Sequence, residues 1–67
     1  MQQTRFYTFR VICNNCLVCE ACGEGANALE AFEHQVANGA VWLWENHEMT
    51  VLAQSDTGVN FRFNVYK

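Results

Sequence analysis

Residues 5–23 read Arg5-Phe-Tyr-Thr-Phe-Arg-Val-Ile-Cys-Asn-Asn-Cys-Leu-Val-Cys-Glu-Ala-Cys-Gly23, with cysteines at 13, 16, 19 and 22. The fold turns on whether this run is a metal site or a β-hairpin rich in cysteine. Residues 5–12 are β-branched and aromatic and alternate with period two, placing Tyr7, Phe9 and Val11 on one face and Thr8 and Arg10 on the other. After Asn14-Asn15 the alternation resumes over 16–22, with Leu17, Cys19 and Ala21 on one side and Cys16, Val18, Glu20 and Cys22 on the other. A three-residue loop of Cys13, Asn14 and Asn15 sets Val11 opposite Leu17, Phe9 opposite Cys19 and Tyr7 opposite Ala21. That register gathers the apolar side chains on one face and leaves Glu20 diagonal to Arg10. A two-residue Asn-Asn loop would bring Glu20 beside Phe9, so the three-residue loop is the expected turn.

Metal chemistry fits this spacing poorly. Zinc sites built from two Cys-x-x-Cys pairs separate the pairs by about a dozen or more residues, so that two knuckles approach the ion from different sides. Here two residues separate them. The bacterial ferredoxin run Cys-x2-Cys-x2-Cys-x3-Cys-Pro shares the first two gaps, but this chain is short by one in the last and has no proline. In the hairpin register Cys19 turns to the core, Cys16 and Cys22 turn away and Cys13 sits in the loop, so one ion cannot collect all four. The expectation is no metal and no cofactor, with Cys19 as a small buried hydrophobe. A disulfide between hairpin positions stays open in an oxidising setting, and a small four-cysteine zinc or iron-sulfur domain is the alternative reading.

The rest of the chain alternates elements without proline, linker or repeat. Gly23 and Gly25 are expected to break the second strand, and Asn27 followed by Glu30 has the form of a capping box. Leu29, Phe32 and Val36 recur at helical spacing with Ala28 on the same side, opposite Glu30, Glu33, His34 and Gln35, and Asn38-Gly39 supplies a stop. Residues 40–45 are expected as a third strand, Asn46-His47-Glu48 as a turn and 49–54 as a fourth strand. Ser55-Asp56-Thr57-Gly58 is a hairpin signal leading into a fifth strand, where Val59, Phe61, Phe63 and Val65 alternate with Asn60, Arg62, Asn64 and Tyr66. The predicted fold is a single α+β domain over residues 1–67, an antiparallel sheet of about five strands with one helix on one face, in the order ββαβββ.

Composition bounds the function. An apolar fraction of 51% with nine aromatic residues belongs to a folded chain, and 67 residues can build one small core. The net charge is −3 with only Arg5, Arg10, Arg62 and Lys67 basic, which offers no cationic stripe to a phosphate backbone and points to a basic protein partner instead of nucleic acid. No apolar run reaches the ~20 residues of a membrane span, and Met1-Gln-Gln-Thr-Arg5 lacks the apolar core of a secretory signal. The chain therefore reads as soluble and cytoplasmic, where thiols stay reduced.

His34 on the polar helix side and His47 in a turn have no third ligand at fixed spacing, and Glu30, Glu33, Glu45 and Glu48 read as solubilising charges. With no phosphate loop, nucleophile elbow or His-Glu-x-x-His run, no enzyme is expected. A different feature stands out. One helix cannot cover two apolar sheet faces. If Val41 and Leu43 face the helix, Trp42 and Trp44 point outward with Phe6, Ile12 or Val18; the opposite choice exposes Val41 and Leu43. Such a patch marks a partner surface, and the expected partner-binding residues are Trp42 and Trp44, with Asn60, Arg62, Asn64 and Tyr66 supplying its polar part.

The strand-to-helix junction Cys19-Glu-Ala-Cys-Gly-Glu-Gly-Ala-Asn-Ala-Leu-Glu-Ala-Phe32, in the expected order of hairpin, one helix and three more strands, resembles the small phage- and plasmid-encoded inhibitors of bacterial defence systems, anti-CRISPR proteins above all. The resemblance is one of architecture and carries no functional residues across. It implies a non-enzymatic inhibitor in the host cytoplasm that binds a basic CRISPR surveillance complex and blocks nucleic-acid binding. With a charge of only −3, such an inhibitor would work through specific side chains more than through mimicry of nucleic acid. A homo-oligomeric structural module, pairing the uncovered apolar face with a second copy as a homodimer, is the remaining alternative.

Overall fold

The computed structural model describes residues 4–67. Met1-Gln2-Gln3, part of the stretch expected to lack a signal core, lie outside the described residues. Strands β1 (Arg5–Cys13) and β2 (Cys16–Gly25) form a hairpin, helix α1 (Ala28–Ala37) follows, and β3 (Glu48–Ser55) and β4 (Asn60–Tyr66) form a second hairpin. The sheet is antiparallel throughout, in spatial order β2-β1-β3-β4. The α+β class with one helix on one face is as expected. Among the described residues the sheet has four strands and the order is ββαββ, because the third strand expected at 40–45 is absent.

The first hairpin solves its phase problem differently from the expected three-residue loop. Asn14 and Asn15 both adopt the left-handed conformation, with φ of 51° and 64°, which is the requirement of a two-residue type I′ turn. This turn pairs Cys13 with Cys16 and Ile12 with Leu17. Continued unchanged, it would set Glu20 against Phe9. Instead the register slips between Val11 and Ile12, leaving Val18 as an extra residue, and beyond the bulge Val11 faces Cys19, Arg10 faces Glu20 and Phe9 faces Ala21. One inserted residue turns the following side chains to the opposite face. Glu20 thereby leaves the core and comes within 3.5 Å of Arg10 on the open side.

Helix α1 begins and ends as its sequence prescribes. Asn27 Oδ1 accepts the Glu30 N–H at 2.8 Å, while the Glu30 carboxylate lies 3.7 Å from His34 Nε2 one turn on. At the other end Gly39 takes φ of 74°, its N–H reaching Val36 O and the Ala40 N–H reaching Gln35 O, a paired closure of the last turn. The buried stripe is Ala28, Ala31 and Phe32, whereas Leu29 and Val36, expected in it, are exposed. The cause is where the helix sits. It packs chiefly on β2, which continues through Gly23 and Gly25 where a break was expected. Those glycines are buried beneath the helix, and a Cβ on Gly25 would lie 2.6 Å from the Ala31 backbone nitrogen. With the helix displaced toward β2, its far flank overhangs the opposite half of the sheet.

Phe32 ties the layers together. Its ring meets Phe9 edge-on at 5.5 Å and Phe63 at 5.6 Å, while Tyr7 meets Phe61 at 5.9 Å. Around them Val11, Cys13, Met49, Val51 and Ala53 complete a core drawn from alternate residues of β1 and β3.

Residues 40–45, expected as a strand, are an irregular segment of the connection from α1 to β3. Val41 is buried in the core and Leu43 packs against it, while the Trp42 carbonyl lies 3.3 Å from Cys19 Sγ and the Trp44 N–H lies 3.4 Å from the Met49 sulfur. The segment covers part of the sheet that the helix leaves bare. Its alternation is real, but it reports burial on one side and not a ladder. Asn46, with φ of 63°, then turns the chain into β3, its N–H bonded to Lys67 O.

The close approach at Gly25 makes a direct test. Gly25→Ala is expected to lower stability by about 1–3 kcal/mol through overpacking against the helix backbone. Gly23→Ala, which meets only the movable side chain of Gln35, should cost less in the same urea titration. Equal effects of the two would contradict this packing.

Candidate protein-binding surface

The four thiols do not converge. Cys13 is buried with Sγ toward the Glu48 carbonyl at 3.9 Å, and Cys19 points to the Trp42 carbonyl. The bulge changes the expected faces: Cys16, paired with Cys13, now shares the helix side with Cys13 and Cys19, and Cys22 stands alone on the open side opposite Thr8. Cys16 and Cys22 are exposed, and all four are free thiols. Among the described residues no group of three or more His, Cys, Asp or Glu side chains is placed to hold a metal ion.

The six residues expected to bind a partner fall into two places. Asn60, Arg62 and Asn64 project from β4 on the open face, where no helix lies. There the Thr50 hydroxyl donates to Asn64 Oδ1 at 3.3 Å. The same face carries Phe6, Leu17 and Leu52, exposed but separated by Thr8, Arg10 and Gln54. The Arg10–Glu20 pair on it is well exposed, so it contributes at most about 1 kcal/mol and serves mainly to keep the face soluble.

Trp42 and Trp44 belong to the irregular segment on the helix side. Trp44 rests edge-on against His47 at 5.7 Å, with His47 Nδ1 2.8 Å from the Glu45 carbonyl oxygen. Trp42 has no such cover and is 78% exposed. It borders a depression of about 410 Å³ shared with Val36, Val41, Leu43 and Lys67. Val36 and Leu43 also line a neighbouring groove of about 360 Å³, whose remaining walls include Leu29, Phe32, Val65 and Tyr66. Tyr66, paired with Glu48, belongs to the same alternation of β4 as Asn60, Arg62 and Asn64, and at the strand's end it also reaches the rim of this groove. Glu33 is the charged residue on the groove wall.

This groove is the feature that sequence reasoning missed. Leu29 and Val36 were expected to be buried, and only the displacement of the helix over the glycines of β2 exposes them. The signal was present in Gly23 and Gly25, which read as strand breakers while acting as a seat for the helix. No helix among the described residues is long and apolar enough to cross a membrane. No family model, no curated protein and no solved structure matches the chain.

Thiol accessibility tests this arrangement. In native protein under reducing-agent-free conditions, Cys16 and Cys22 are expected to react first with an aromatic disulfide reagent, while Cys13 reacts only on unfolding. Mass spectrometry of the labelled peptides reads the order, and early labelling of Cys13 would contradict its placement.

Proposed function

We propose that this chain is a non-enzymatic binding protein, a small inhibitor that occupies a host defence complex and blocks its nucleic-acid-binding surface. The observation that carries the reading is Trp42, 78% exposed and continuous through Val36 and Leu43 with the apolar groove beside α1. Tryptophan dominates binding energy when it enters a partner's pocket, and a contiguous apolar surface around it supplies the water-excluding surround. Trp42 is the anchor, and Leu29, Val36, Leu43 and Tyr66 are the surround.

Electrostatics supports a basic partner. The chain carries −3, and Glu33 stands at the groove edge, with Glu30 one turn away on the same helix. A nucleic-acid-binding complex presents the complementary charge, which speeds encounter, while the apolar anchor sets the lifetime of the complex. Inhibition of this kind involves no turnover and is stoichiometric.

A purified type I surveillance complex and its fluorescent target duplex provide the test. Adding this protein is expected to abolish duplex binding at about one equivalent per binding site. Trp42→Ala should raise the inhibitory concentration about thirtyfold, the effect of removing a hot-spot side chain of about 2 kcal/mol. Undiminished duplex binding under a large excess of the wild-type protein would overturn the inhibitor reading. Inhibition by Trp42→Ala equal to wild type would remove the proposed anchor.

A further inference from the structure

We infer that two copies of this chain pair through β4, edge to edge and antiparallel, in a register centred on Phe63, so that their sheets join into one of eight strands. The pairing does not depend on the inhibitor reading. It rests on the difference between the two sheet edges and on the self-complementarity of one of them.

In the spatial order β2-β1-β3-β4 the free edges are β2 and β4. An unpaired edge presents a row of backbone donors and acceptors, and proteins that stay monomeric blunt it with bulges, charges or cover. Edge β2 has these protections: the bulge at Val18, the carboxylates of Glu20 and Glu24, and the helix packed over its end. Edge β4 has neither a bulge nor a covering helix. It pairs with β3 from Asn60 to Tyr66 without a register shift, contains no proline and carries one charge, Arg62.

The backbone alternation of β4 is set at its turn. The Ser55 N–H donates to Val59 O at 2.9 Å, making that pair hydrogen-bonded. In an antiparallel ladder the bonded pairs then recur at every second residue, at Phe61, Phe63 and Val65. The backbone groups of Asn60, Arg62, Asn64 and Tyr66 therefore face the free edge.

A two-fold axis beside Phe63 matches this edge to itself. It sets Phe61 against the second copy's Val65 on the helix side, and Arg62 against the second copy's Asn64 on the open side. Phe61 is 39% exposed and Phe63 and Val65 are only half-buried, so the pairing covers apolar surface that the displaced helix leaves open. The two arginines do not oppose each other. A closed two-fold interface of this kind uses the same patch on both copies and leaves no further β4 edge to propagate.

The test exploits the symmetric Arg62–Asn64 contact, because one substitution changes two contacts. Asn64→Lys places like charges opposite each other twice and is expected to raise the dimer dissociation constant about tenfold, whereas Asn64→Glu should lower it by a similar factor. Position 64 is exposed, so both variants should keep the fold, which circular dichroism verifies. Sedimentation velocity over a concentration series reads the constants, with a limiting mass twice the 7.7 kDa of one chain. Amide hydrogen exchange gives a second reading: protection at Arg62 and Asn64 should rise with protein concentration in the wild type. A wild-type mass that stays monomeric at millimolar concentration would overturn the inference. So would a dimer whose constant ignores both substitutions.

Discussion

Paired residues of a β-hairpin point to the same side of the sheet, so the whole of β2 depends on the parity of its register with β1. A two-residue turn at Asn14-Asn15 and the apolar pattern of the flanking strands demand opposite parities. The unpaired residue at Val18 reconciles them, allowing the tight turn while returning Ala21 to the side of Phe9 and sending Glu20 to Arg10. Everything that follows inherits that choice. Gly23 and Gly25 land on the helix side, the helix seats on them, and Phe32 reaches Phe9 and Phe63.

Seating the helix over glycine has a consequence on the far side of the sheet. Close approach at β2 moves a helix of ten residues away from β4, and one short helix cannot span a four-stranded sheet. The chain covers part of the remainder with the segment from Ala40 to Glu45, which buries Val41 and leaves Trp42 outside. The groove between α1 and β4 is what neither element covers. The exposed tryptophan and the groove are thus two results of one packing decision, on which the proposed partner surface draws, while the β4 edge is free because the strand order ends there.

The cysteines illustrate how strongly context outweighs spacing. Their period of three suggests a cluster, yet Cys13 bonds toward β3, Cys19 toward the covering segment and Cys22 faces the open side. They are separated by the same pleat and bulge that order the core. As small side chains beside the helix and the covering segment, Cys13 and Cys19 serve packing.

Local signals decided most of the elements: alternation over 5–12 and 60–66, the Asn27 cap, the Asn38-Gly39 stop and the Ser55–Gly58 turn each act through neighbours in sequence, so one chain suffices to read them. The class, the single helix and the open strand face of Asn60, Arg62 and Asn64 were legible for that reason. Residues 40–45 were not, because Val-Trp-Leu-Trp alternates equally well in a strand and in a covering segment, and only the presence of a hydrogen-bonding neighbour separates the two. Nor was the bulge, since the sequence by itself determined that two asparagines turn the chain but not which residue is left unpaired to restore the phase. That choice, the seat of the helix on Gly25 and the resulting exposure of Trp42, Leu29 and Val36 were decided by tertiary packing, where steric fit between distant residues outweighs local preference.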